Sequence, residues 1–125
     1  MAFKLEHVHL KTREPEKTAK FYIENLGAKP IEISDDRRHW RVELHGIVMN
    51  ITDHIETQKR DQHYGLEHFA LETDQFDATV AKILADGGRM LEQFASPVPA
   101  HEGMRVCFME GPEGVQLELV EKRSL

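Results

Sequence analysis

Residues 5–10 read LEHVHL and residues 66–71 read LEHFAL, so a chain of 125 residues writes nearly the same strand twice. Few folds accommodate this: the chain must build two like units, and whatever one copy does the other does at a symmetry-related place. Histidine holds the third position of both copies, as His7 and His68. The first copy alternates, with Leu5, His7 and His9 on one side of a strand and Val8 and Leu10 on the other.

The segments downstream of the two copies repeat as well. After the first, Thr12-Arg13-Glu14-Pro15 is a helix start, with proline near the first turn. Pro15–Leu26 carries Ala19, Tyr22 and Leu26 at helical spacing, with Phe21 beside them, and Gly27 stops the helix. Strands are expected at Pro30–Ser34, His39–Leu44 and Ile47–Asp53, with His45-Gly46 turning between the last two. After the second copy, a strand over His68–Thr73 leads into a helix from Thr73-Asp74 to about Ala85, with Phe76, Val80, Ile83 and Leu84 as its buried stripe. Asp86-Gly87-Gly88 stops it, and strands are expected near Met90–Phe94, Arg105–Met109 and Val115–Glu121. The expected fold is α+β. Paired βαβββ modules, at about 3–53 and 64–122, flank a polar linker at about 54–63 within one domain.

The ends of the halves correspond too. HGIVMNITD (45–53) aligns with EGVQLELVE (113–121), pairing Gly46 with Gly114, Met49 with Leu117 and Asn50 with Glu118. A pseudo-twofold axis then brings His7, Asn50, His68 and Glu118 onto one concave face. Two imidazoles and a carboxylate make a facial metal site with open positions, which suits catalysis. His7, His68 and Glu118 are the candidate ligands of one divalent ion, Ni, Co, Zn, Mn or Fe(II). Asn50 either completes the set through its amide oxygen or orients bound water or substrate. His9, whose counterpart is Ala70, is a candidate acid/base or an extra ligand.

Other residues have plainer readings. His39, His45, His54 and His63 fall at turns or strand ends, where solvation explains them. His101 and Glu102 sit in a Pro-rich loop, SPVPAHEG, and are read as exposed. Cys107, the single cysteine, sits in a hydrophobic strand and is expected to be packed and unreactive; it excludes an internal disulfide. Trp40 and Tyr64 line a cleft or pack in the core. Net charge is −6, with no basic stripe, which argues against a nucleic-acid partner. No apolar run approaches membrane-spanning length, and the N-terminus lacks a signal-peptide pattern. A cytoplasmic location is expected.

The motifs LEHVHL, KFYIENLGA, LEHFAL and FMEGPEGVQLELVE run in order along almost the whole chain. In them the sequence resembles the vicinal oxygen chelate superfamily: glyoxalase I, bleomycin-resistance proteins, fosfomycin-resistance transferases and extradiol dioxygenases. The resemblance implies a cupped mixed β-sheet with helices outside, closed around a metal that substrate oxygens chelate. In glyoxalase I the ligands come from positions matching His7, Asn50, His68 and Glu118, with Glu in the second place. Asn50 departs from that pattern, while the fosfomycin-resistance enzymes use a His, His, Glu set. The resemblance further implies a homodimer whose cleft can be shared between chains, and a small-molecule substrate. The expected activity is lyase or isomerase chemistry on a small oxygenated metabolite through an enolate-like intermediate. An Fe(II)-dependent ring-cleaving dioxygenase and a non-catalytic drug- or metabolite-binding resistance protein are the alternatives.

Overall fold

The computed structural model describes residues 3–53, 58–97 and 102–122. The chain forms β1 (Phe3–Lys11), α1 (Pro15–Leu26), β2 (Lys29–Ile33), β3 (His39–Leu44) and β4 (Ile47–Thr52). It continues with β5 (Gly65–Thr73), α2 (Phe76–Ala85), β6 (Arg89–Ala95), β7 (Arg105–Glu110) and β8 (Gln116–Glu121). Each half is therefore strand, helix and three strands, as the repeat predicts. Two compact units result. One is His7–His68; the other runs from Phe69 onward and includes the first residues of the chain. The cut falls inside β1 and β5, so the opening residues of β5 pack with the first half.

The halves share one topology. In the first, the hydrogen-bonded order is β2-β3-β4-β1, and in the second β6-β7-β8-β5. β1 and β4 are parallel with His9 opposite Asn50, and β5 and β8 are parallel with Ala70 opposite Glu118. The remaining pairs within each half are antiparallel. A parallel pair needs a crossover, and the helix and two intervening strands provide it in each half. The same joint precedes both helices: Thr12 Oγ1 accepts the Glu14 N–H at 3.2 Å, and Thr73 Oγ1 accepts the Gln75 N–H at 3.0 Å.

Packing obeys strand alternation. Val8 and Leu10 of β1 join Tyr22 and Ile23 around a core of Ala19, Ala28, Trp40, Val42, Met49 and Ile51. In the second unit Phe76, Cys107, Met109 and Leu119 form the core, with Val80 and Ile83 of α2 against it. Burying each large apolar side chain contributes about 1.5–3 kcal/mol. Two expectations need correction. Helical spacing puts Leu26, Phe21 and Leu84 on or beside the buried stripes, yet they are 46, 54 and 47% exposed. Ile23, not Leu26, packs against the core from the end of α1. The second helix begins at Phe76 rather than Thr73-Asp74, since Thr73 completes β5 and its hydroxyl holds the bend.

The hairpin between β3 and β4 turns on His45 (φ 50°) and Gly46 (φ 99°), a geometry in which both central residues take positive φ. His45 also reaches Leu26 O with Nε2 at 2.7 Å, so a turn histidine satisfies a carbonyl at the end of α1. Gly88 is constrained by space instead: a Cβ there would run into Ile83 Cγ2 and approach Glu110 O at 3.2 Å. Gly88→Ala is accordingly expected to cost about 2 kcal/mol through overpacking. Gly46→Ala, with open space around it but a positive φ, is expected to cost about 1 kcal/mol. Urea unfolding midpoints of the two variants test this ranking, and equal midpoints would refute the steric account at Gly88.

Candidate metal centre

The face of β1 opposite the apolar core is buried and polar. His7, His9 and Lys11 alternate on it, with 6, 7 and 3% of their surface exposed. β5 adds His68, equally buried. Ring centroids lie 5.6 Å apart for His7 and His68, 6.4 Å for His7 and His9, and 4.8 Å for His9 and His68. One ligand nitrogen from each ring falls within 4.8 Å of the others. All three residues belong to the His7–His68 unit.

Behind His68 stands a buried ion pair. Glu67 Oε1 accepts from His68 Nδ1 at 2.7 Å and from an Arg60 guanidinium nitrogen at 3.1 Å, and Oε2 accepts the His63 backbone N–H at 3.2 Å. The Arg60 and Glu67 side chains are almost fully enclosed. Burial alone would raise the Glu67 pKa. The hydrogen bond and charge of His68, the His63 N–H and Arg60 outweigh it and hold the carboxyl at about 2. An ionised carboxylate only accepts, so in the neutral ring the proton of His68 sits on Nδ1 and the lone pair on Nε2. A carboxylate that fixes the tautomer in this way is the usual backing of a metal-ligating histidine.

His9 is fixed differently. Its Nε2 shares a hydrogen bond of 2.7 Å with Thr52 Oγ1 on β4. Burial, followed by the neighbouring His68, Lys11 and His7, pushes the imidazole down to about 2 against the pull of Glu67. The ring is therefore neutral, the form that a metal requires. Lys11 is lowered to about 8, chiefly by burial, with Glu67 opposing, and its Nζ donates to Asp53 O at 3.1 Å.

The donor set suits a divalent ion of the borderline class, which neutral imidazoles bind well. Nitrogens around a tetrahedral zinc, each about 2.1 Å from the ion, stand roughly 3.4 Å apart, so side-chain adjustments on the order of 1 Å close the set. A concavity of about 770 Å³ is an open groove along the charged face of α1 and shares no residue with the histidines. Its exposed charges give it no comparable chemistry.

The other expected residues fall on both units. Asn50 is half-buried on β4, and its Oδ1 accepts from Arg41 Nη1 at 3.3 Å. Glu118 is half-buried on β8 of the second unit, opposite Ala70 and Phe108. Trp40 is core, donating its indole N–H to Arg37 O. Tyr64 is exposed, with the Arg13 guanidinium over its ring. His39 and His63 are exposed, as is Glu102, while His54 and His101 lie outside the described residues. Cys107 is buried, and burial pushes its thiol up to about 11, so it is inert. Sequence reasoning missed Glu67, Arg60, Thr52 and Lys11. Glu precedes His in both copies of the repeat, which is the one available signal for Glu67. Arg60 lies in a stretch whose polarity reads as a solvated linker.

Comparison with known proteins places the chain. The family model of the Glyoxalase/Bleomycin resistance protein/Dioxygenase superfamily matches residues 4–119. A probable lactoylglutathione lyase of Synechocystis is 26% identical, over 96% of this chain and 96% of its own. A lactoylglutathione lyase of Neisseria meningitidis is also 26% identical, over 97% and 92%. A probable chloroplastic lactoylglutathione lyase of Arabidopsis thaliana is 30% identical over 93% of this chain, which spans 35% of that protein's length. Among solved structures, a hypothetical protein of Bacillus halodurans superposes with a TM-score of 0.74 at 17% identity, covering 100% of this chain and 98% of its own. The methylmalonyl-CoA epimerase of Mycobacterium tuberculosis gives 0.63 at 18% identity, covering 96% and 88%. By the reach of that family match and by its twice-built strand–helix–three-strand fold, the chain belongs to the Glyoxalase/Bleomycin resistance protein/Dioxygenase superfamily.

Proposed function

We propose that this protein is a divalent-metal-dependent lyase or isomerase acting on a small oxygenated metabolite. The observation that carries the reading is the buried imidazole cluster of His7, His9 and His68, with His68 braced by Glu67 and Arg60. Burying three imidazoles and an ion pair is expensive unless the groups have partners. The lyase names carried by the sequence relatives support the same reaction class.

In this reading His7 and His68 hold the ion, and Glu118, the equivalent of Asn50 in the internal repeat, is a third candidate ligand on the strength of the sequence repeat. A bound divalent ion would supply Lewis acidity, stabilising negative charge on a substrate oxygen. The chain's own residues prepare the site. Glu67 keeps the His68 proton on Nδ1, and His68, the His63 N–H and Arg60 together keep Glu67 ionised. Asn50, tethered by Arg41, presents its amide N–H groups for orienting substrate. Burial of the histidines excludes water.

Elemental analysis of the purified protein is expected to find one divalent ion per chain, lost in His68→Ala and Glu118→Gln. No metal in the wild type after exposure to Fe, Ni, Co, Zn and Mn salts would overturn the metalloenzyme reading. Glu67→Gln is expected to keep the ion but to weaken its binding about 10- to 100-fold, read by chelator competition; unchanged affinity would remove Glu67 from the site. Turnover of a carbonyl-bearing substrate panel is expected to proceed equally with and without oxygen. Activity that depends on oxygen consumption would assign the chain to the dioxygenases of the superfamily instead.

A further inference from the structure

The first half of the chain carries one histidine more than the repeat supplies. His7 and His68 are equivalent, but His9 corresponds to Ala70. The difference is matched directly across the register. In the second half Ala70 faces Glu118, a small residue beside a carboxylate. In the first half His9 faces Asn50, an imidazole beside an amide. The strong donor has changed strands, from the inner parallel partner to the repeated strand itself. The hydrogen bonds agree. Asn50 Oδ1, the amide atom able to ligate, accepts from Arg41 Nη1. One nitrogen of His9 meets Thr52 Oγ1 at 2.7 Å, and a donor bond to that hydroxyl leaves the other nitrogen unprotonated.

We infer that His9 is the ligand this half contributes beside His7, in place of Asn50, and that the centre is built for late divalent cations. The inference rests on the metal reading above and deepens it. Where the other half offers the Glu118 carboxylate, this half offers a neutral imidazole, so its contribution is one unit more positive and its donor softer. Nitrogen-rich sites favour Ni, Cu and Zn, whereas carboxylate- and water-rich sites hold Mg and Mn. The chain therefore discriminates against manganese and magnesium through His9, with Thr52 as the residue that orients the ring.

The test is electron spin-echo spectroscopy of the copper(II)-loaded full chain, which counts coordinated imidazoles through their remote nitrogens. Three are expected in the wild type, two in His9→Ala and three in Asn50→Ala. Zinc affinity is expected to fall on the order of 100-fold in His9→Ala while manganese affinity changes less than about 10-fold. Thr52→Val is expected to keep three imidazoles and bind zinc about 10-fold more weakly. Two imidazoles in the wild type overturn the inference whether or not the variants fold, and leave the metalloenzyme reading intact. Three imidazoles in a folded His9→Ala overturn it as well. A wild type that binds no copper, zinc or manganese overturns both.

Discussion

The first unit depends on a strand whose two faces are both buried and chemically opposite. β1 sends Val8 and Leu10 into the apolar core under α1, and sends His7, His9 and Lys11 to a polar interior. With a side-chain period of two, the strand cannot slip by one residue without exchanging these faces. Such a slip would put three polar groups into the Trp40–Ile51 core and the apolar pair among charges. The pairing of His9 with Asn50 and of Lys11 with Thr52 is thereby held in register.

A polar interior of this kind is costly unless each group finds a partner. A buried ion pair such as Arg60–Glu67 seldom adds net stability over an apolar pair of the same shape. Its use here is positional. Arg60, the His63 N–H and His68 all converge on one carboxylate, so the orientation of His68 is set by a group that cannot rotate away without stranding a charge. His9 needs only a hydroxyl, from Thr52, because a neutral ring leaves no charge to compensate. Two imidazoles at one site are thus held by different means.

The halves show what duplication preserves and what it releases. Strand order, the parallel inner pair, and the threonine that bends the chain before each helix are kept. Among the many positions at which the halves differ are those with the most chemistry: His9 against Ala70, and Asn50 against Glu118. A family defined by one fold and many activities diverges in just this way, since sites are grafted onto a conserved frame.

Element types and their order were legible in the sequence because they rest on local periodicity, glycine stops and turn pairs such as His45-Gly46. The meeting of His7 and His68 was legible because the hexapeptide is written twice. The failures have one cause. Leu26, Phe21 and Leu84 are apolar at helical spacing, but which side chains of a helix meet its sheet is decided by docking. Arg60 sits in a polar segment and is buried only because Glu67 lies beneath it. By itself, then, the sequence determined two like modules and a histidine in each. The tertiary structure alone decided that His9 joins His7 and His68, that Thr52 holds it, and that Glu67 and Arg60 brace the cluster. These contacts join residues far apart in the chain, and no local pattern encodes the distance between them.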